Sequence, residues 1–225
     1  MKTKSTLIIT LLGILCFPLT ALACTDPVVL VHGNTASPSS WNSTYNYLLN
    51  KGYSPSDIYR PNWGSQSCAA CNNHSGSEET PVRQALTDAL ANSCSGQIDV
   101  IGHSMGATLA AQHIDKLAIA GNVDSFVGIA GAVRGLRSCG IYPFNVWSST
   151  CGVNGLSIQS PFLDSIYGQP FANRTYSIKS YIDQVVCLGG LCAVGGIHSS
   201  QIWNEDASYT YALGHFGLQS DTAAK

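Results

Sequence analysis

The 225-residue chain carries a formal net charge of −2, and only 11% of its residues are charged, under half of the roughly one quarter usual for soluble domains. No basic stripe is present to hold nucleic acid, and a surface this poor in charge must be rich in small polar and apolar groups, which suits greasy or interfacial substrates. The length fits one domain with a substantial core.

Residues 1–23 read as a signal peptide. Lys2 and Lys4 supply a positive start, Leu7 to Leu19 a largely apolar stretch, and Ala21-Leu22-Ala23 a small-x-small cleavage site. The stretch is too short, and too broken by Pro18, to span a membrane. Residues 24–225 are then a single catalytic-sized domain of net charge −4, two cations having left with the leader. Secretion, to the exterior or the periplasm, is the expected destination. A lipid anchor on Cys24, directly after Ala23, is the alternative, but Cys24 stands immediately before the first core strand and leaves no tether.

Eight cysteines follow the leader: Cys24, Cys68, Cys71, Cys94, Cys139, Cys151, Cys187 and Cys192. An even number in a secreted chain reads as a disulfide framework. Cys139 with Cys151 and Cys187 with Cys192 are spaced to staple one loop each; the other four share two bridges of open connectivity. Cys68-Ala-Ala-Cys71 also fits a redox or zinc motif. It lies among Asn, Ser and Gly rather than at a helix start after a strand, and no second ligand cluster accompanies it.

In chain order, Val28 to Val31 is a continuous apolar run, the mark of a strand buried on both faces of a parallel sheet, and it ends at His32-Gly33. His32 reads as a buried imidazole that ties the following loop down. Ser37-Pro38 starts a helix that runs to Leu49 and ends at Gly52. Ser56 to Arg60 is a short edge strand, and Trp63 to Ser77 a cysteine-bearing loop without regular structure. Glu78 to Asn92 is a helix with one apolar face, Val82, Ala85, Leu86, Ala89 and Leu90.

Ile98, Val100 and Ile101 then form a short buried strand that runs into Gly102-His103-Ser104-Met105-Gly106 and a helix from Ala107. Strand, tight turn with serine at its tip, then helix is the setting a nucleophile elbow requires. A Cβ at position 102 or 106 would strike the neighbouring strand and helix, and the helix N-terminus favours an oxyanion nearby.

Ser125 to Ala130 is another buried strand. Residues 131–176 form a long Gly-, Ser- and Pro-containing region in which Phe144, Val146, Trp147, Phe162, Leu163 and Ile166 either wall an acyl pocket or seal the loop onto the domain. The next strand ends near Tyr181 with Asp183 just past its carboxyl end, where catalytic groups gather in parallel sheets. Asp164, in a short helix with no strand before it, and Asp206, at the wrong end of the following strand, are weaker candidates for an orienting acid. Ser208 to Leu213 is a last strand, followed by His215 in a loop at its carboxyl edge. His198 borders that strand from a preceding loop; His74 and His113 read as a loop residue and a helix-face residue.

Taken together, Pro27-Val-Val-Leu-Val-His-Gly33, Ile98-Asp-Val-Ile-Gly-His-Ser-Met-Gly106, Ser177-Ile-Lys-Ser-Tyr-Ile-Asp183 and Gly214-His-Phe-Gly-Leu218 resemble, in order, the secreted class 2 lipases of the α/β-hydrolase superfamily, close to the minimal bacterial lipases. The resemblance implies a compact α/β fold, a mostly parallel sheet of about six strands flanked by helices, with no large lid. It implies Ser104 as nucleophile, Asp183 as acid, His215 as base, and the backbone N–H groups of Asn34 and Met105 as oxyanion donors. No cofactor or metal is called for. The expected partner is a lipid or other ester, at a lipid–water interface, with no nucleic acid and no transmembrane segment, on a monomer. The rival readings are a short-chain or polyester esterase, a binding domain on a hydrolase fold, and an oxidoreductase acting through Cys68 and Cys71.

Overall fold

A computed structural model describes residues 24–225; the signal peptide expected over 1–23 lies outside them. The strands are β1 (Val28–Val31), β2 (Ile58–Tyr59), β3 (Ile98–His103), β4 (Val123–Ile129), β5 (Arg174–Lys179), a small hairpin β6 (Ala193–Val194) and β7 (Ile197–His198), and β8 (Ala207–Thr210). The helices are α1 (Asn42–Asn50), α2 (Glu79–Asn92), α3 (Met105–Lys116), α4 (Pro161–Ile166) and α5 (His215–Ser220). Six strands make one sheet in the order β2-β1-β3-β4-β5-β8, and every pairing in it is parallel. All six carboxyl ends therefore open onto one rim.

The alternation along β1 builds both faces of the core. Val29 and Val31 pack into the cluster under α2 and α3, while Val28 and Leu30 pack with Trp41, Ile178 and Leu218 on the opposite face. Successive side chains of a strand point to opposite faces, so a run of four apolar residues demands helices on both.

The helix α3 is buried from Met105 through Ile114, with no solvent face over that span. Its outer side is covered by residues 131–173, from which Phe162, Leu163 and Ile166 of α4 enter the same cluster. The apolar residues of this long region thus divide. Those of α4 seal it down, whereas Phe144, Val146 and Trp147 stand 92%, 53% and 100% exposed.

Several boundaries differ from those read in the sequence. Strand β2 is only two residues long because Pro55–Asp57 forms a 3₁₀ turn just before it, held by a capping box between Ser54 and Asp57. The serine at the elbow is followed at once by helix, which begins at Met105 rather than Ala107. The strand β5 stops at Lys179, and Tyr181 is 61% exposed. The hairpin β6–β7 was not foreseen; Gly195 and Gly196, with φ of 59° and 82°, make its two-residue turn.

All eight cysteines among the described residues form disulfides. Cys24–Cys94 ties the start of the domain to the end of α2, Cys68–Cys71 closes a single turn, and Cys139–Cys151 and Cys187–Cys192 staple the two loops expected. The Cys24 sulfur is engaged in its bridge to Cys94. No helix among the described residues is long and apolar enough to cross a membrane.

Candidate active site

Ser104 lies between β3 and α3 as the cap residue of the helix, with φ 54° and ψ −130°. A non-glycine residue in this region is strained, and the surroundings leave no alternative. A Cβ at Gly106 would lie 2.1 Å from the His32 carbonyl oxygen, and one at Gly102 would lie 2.4 Å from Ala107 Cα. Glycine at both positions lets α3 close onto β1 and β3, and the turn that results lifts the serine above the sheet rim. The Ser104 N–H donates to Ile129 O (2.8 Å), fixing the elbow to β4. The half-buried Ser104 hydroxyl has no hydrogen-bond partner among the described residues. Catalytic bonds of this kind often tighten only when substrate is bound.

The loop after β1 abuts the elbow: a Cβ on Gly33 would come within 3.0 Å of Ser104 Cβ. The N–H groups of Asn34 and Met105 donate to no protein acceptor among the described residues. For Met105 this follows from its place at the start of a helix, where the first N–H groups have no intrahelical acceptor.

Asn34 is held from its side chain. Its Nδ2 donates to Ala69 O (2.8 Å) and its Oδ1 accepts from Asn72 Nδ2 (2.6 Å). Asn72, 1% exposed, also spans Ser65 through its carbonyl (2.8 Å) and its N–H (2.6 Å). His32 is buried as expected: Nδ1–H donates to Gly33 O (2.8 Å), Nε2 accepts from the Trp63 N–H (3.3 Å), and the ring stacks on Trp63. Burial lowers its pKa.

Asp183 lies beyond β5 at the same rim. Its Oδ1 accepts the N–H groups of Val185 and Val186, both at 2.8 Å, and its Oδ2 accepts from His215 Nδ1–H at 2.8 Å. Burial pushes this carboxyl up, but the His215 bond and the two amides outweigh it and hold Asp183 below the usual carboxylate range. The disulfide Cys187–Cys192 closes the loop just after it, and the Cys187 N–H donates to the Asp183 carbonyl (2.9 Å).

His215 is the first residue of α5, not a loop residue. Three bonds fix it besides packing: Nδ1–H to Asp183, its N–H to Gln184 Oε1 (3.0 Å), and its carbonyl from His103 Nε2–H (3.0 Å). The rings of His103 and His215 lie 4.7 Å apart. Burial, then the neighbouring His215, drive the His103 pKa down to about 3, so this imidazole is neutral. Asp183 and His215, 1% and 2% exposed, thus form a desolvated pair in which the carboxylate fixes the imidazole tautomer and leaves Nε2 free to take a proton.

Three supporting residues escaped the sequence reading: His103, Gln184 and Asn72. The first two stand beside assigned residues, inside the elbow and next to Asp183; Asn72 lay in a loop with no periodicity to mark it.

The weaker candidates fall elsewhere. Asp206 accepts the Thr175 N–H (2.7 Å) at the amino end of β5 and β8. Asp164 is exposed on α4. His198 Nε2–H donates to Ser180 O (3.0 Å) and supports the Asp183 loop from behind. With Cys187 and Cys192 it forms a tight His/Cys cluster, but the two sulfurs are bonded to each other, which leaves one ligand and no metal site. His74 is stacked on Phe162 and bonded to Asn154 O and Thr108, with its pKa lowered to about 3, chiefly by burial.

The class 2 lipase family model matches residues 25–225. Among solved structures, the chain is similar to a methylesterase from Arabidopsis (TM-score 0.57, 12% identity, 89% of this chain and 96% of that one). It is also similar to a pyrethroid hydrolase from Sphingobium faniae (0.54, 13%, 88% and 94%) and to a metagenome-derived lipolytic enzyme described with LipS and LipT (0.54, 15%, 87% and 88%). At these identities the structures establish a shared α/β-hydrolase fold. No curated protein matches the chain. With its fold, its rim of convergent polar groups and the family match over nearly all described residues, the chain belongs to the class 2 lipases, a family of α/β-hydrolase ester hydrolases.

Proposed function

We propose that the protein is a secreted, monomeric serine lipase. The observation that carries this reading is the buried 2.8 Å bond between Asp183 and His215, set at the rim onto which the strained Ser104 opens. In the first half-reaction His215 Nε2 takes the hydroxyl proton as Ser104 Oγ attacks the ester carbonyl carbon. The Asn34 and Met105 N–H groups, with no protein acceptor of their own, receive the negative oxygen; one such donor contributes about 10²–10³ in rate. Collapse of the tetrahedral adduct breaks the ester C–O bond, and His215 returns the proton to the leaving alcohol. In the second half-reaction water, deprotonated by His215, releases the acid and restores Ser104. Asp183 stays ionised throughout and stabilises the imidazolium.

Lipid as substrate is supported by large apolar side chains left in solvent on the two stapled loops and beside His215. Phe144 and Trp147 are 92% and 100% exposed on one stapled loop, Leu188 and Leu191 are exposed on the other, and Phe216 adjoins His215. Large apolar side chains left this exposed favour a surface that meets an apolar partner. Four disulfides support export to an oxidising compartment.

Hydrolysis of p-nitrophenyl esters from two to sixteen acyl carbons, by the unmodified chain and by Ser104→Ala, tests the proposal. Rates that rise with chain length and fall at least about 10³-fold in the variant are expected. Activity confined to short chains would make the enzyme an esterase, and equal rates in both proteins would remove Ser104 from the chemistry.

A further inference from the structure

Beside the triad rim lies a cleft of about 770 Å³, lined on one side by Arg134 and Arg137 and on the others by apolar side chains that include Ile141, Ile158, Leu163 and Ile197. Its volume falls within the ~300–1,000 Å³ typical of small-molecule sites. Chain continuity places it next to the elbow. A Cβ on Gly131 would sit 3.9 Å from the Ser104 carbonyl, and Val133, two residues on, lines the cleft. On the far wall, Ile197 precedes His198, which is bonded to Ser180 at the end of β5.

The two guanidinium groups are anchored but not neutralised. Arg134 Nε donates to Gln201 O (2.8 Å) and Arg137 Nε to Ala193 O (2.9 Å), so each fork is oriented by backbone next to the β6–β7 hairpin. Neither forms an ion pair among the described residues; Asp164, the one carboxylate on the same lining, pairs with neither. In a chain with 11 Lys and Arg in all, two unpaired arginines in one apolar cleft are a concentrated feature. Gln159, also on the lining, holds φ 61°, a left-handed backbone that non-glycine residues seldom adopt and that clusters at functional sites.

We infer that this cleft binds a carboxylate carried on an aliphatic chain, the acid on the arginine forks and the hydrocarbon along the isoleucine and leucine wall. Arginine suits this ligand because its planar fork donates to both carboxylate oxygens at once, and the Nε anchors remove much of the rotamer freedom that binding would otherwise cost. Two sources carry the chemistry: a free fatty acid, and an ester whose acyl chain bears its own remote carboxylate.

The first arm of the test is binding, which does not depend on the hydrolytic proposal. Dodecanoate, dodecyltrimethylammonium and 1-dodecanol are titrated calorimetrically, below their micelle concentrations, into the full-length secreted protein carrying Ser104→Ala. The free-acid form predicts that dodecanoate binds at least tenfold tighter than either of the others, and that Arg137→Gln, at an exposed position, and Arg134→Gln each weaken it several-fold. The ester form predicts instead that the arginines raise kcat/KM for the mono-p-nitrophenyl ester of dodecanedioic acid over p-nitrophenyl dodecanoate, a ratio that falls in Arg137→Gln. Equal binding of the three amphiphiles together with an unchanged ester ratio would overturn the inference. The ligand comparison needs no arginine substitution, so it stands even if Arg134→Gln loosens the hairpin.

Discussion

His103 donates its Nε2–H to the carbonyl of His215 at 3.0 Å, with the two rings 4.7 Å apart. The residue before the elbow serine thereby holds the backbone of the proposed base, and β3 ends in the brace and runs directly into Ser104. His103→Leu is expected to lower kcat about tenfold or more with little change in KM, since the donor acts on position rather than on substrate. His103→Gln, which keeps a donor at similar reach, should recover a large part of the rate. Steady-state kinetics on a soluble short-chain ester check both, and equal rates in the two variants would assign His103 to packing alone.

The elbow glycines give a sharper contrast. Gly106→Ala puts a methyl 2.1 Å from a backbone oxygen, which nothing flexible can relieve, and should destabilise by about 3 kcal/mol or more or prevent folding. Gly121→Ala, with open space around it and an ordinary φ, should leave the melting temperature within a degree or two. Thermal denaturation of the pair reads the difference directly.

Acid should unfold the protein early. His74 and His103 have pKa values lowered to about 3, and His113 to about 4, largely by burial. An unfolded histidine takes a proton near pH 6.5 while these do not, so stability is present above that pH and is lost as pH falls toward the folded values. At pH 5.5, His74 and His103 each cost on the order of 1 kcal/mol. Asp99 works in the opposite sense: burial, then the nearby Asp124, raises it to about 6, and its protonation returns about 1 kcal/mol over the same interval. The sum favours unfolding. Melting temperature should drop steadily from pH 7 to pH 5, and a flat profile would contradict this placement of the histidines.

Two disulfides should separate stability from activity. Cys24–Cys94 closes 70 residues and Cys187–Cys192 only 5, so chain entropy predicts losses of about 4 and 2 kcal/mol on their removal. The short bridge, however, closes the loop that presents Asp183. Paired Cys→Ala variants at 187 and 192 are expected to lose more activity than those at 24 and 94 at a temperature where both remain folded, as judged by circular dichroism.

Asn72→Ala should act at a distance from the reacting atoms. It removes the donor to Asn34 Oδ1 and both bonds to Ser65, which frees the loop presenting the Asn34 N–H. A fall in kcat of roughly tenfold is expected, smaller than the cost of an oxyanion donor itself, and measurable with the same soluble ester.

What the sequence disclosed, and what it withheld, follows from the range of the forces involved. The run Val28 to Val31, the Gly102 to Gly106 elbow and the position of Asp183 after a strand are local patterns, and each sits where its pattern places it. The α-helical start at His215 was missed because Gly214-His-Phe-Gly is poor helix-forming sequence; packing of Leu218 into the core decides it. Burial of α3 on all sides depends on residues 131–173 folding back over it, a long-range event that no window around α3 contains. The pairing of Cys24 with Cys94 was equally non-local, whereas the two short bridges were visible from spacing. The Asn72–Asn34 bond joins residues 38 positions apart, beyond any motif.

The described residues hold two ion pairs besides Asp183–His215, Lys116 with Glu79 and Arg174 with Asp124, both at least partly exposed, against four covalent cross-links. Surface pairs of this kind contribute little, so Debye screening has almost nothing to weaken. Brine and fresh water should find the same molecule, equally firm; a thiol should not. The environment that governs how long it lasts is defined by its redox potential rather than by its ionic strength.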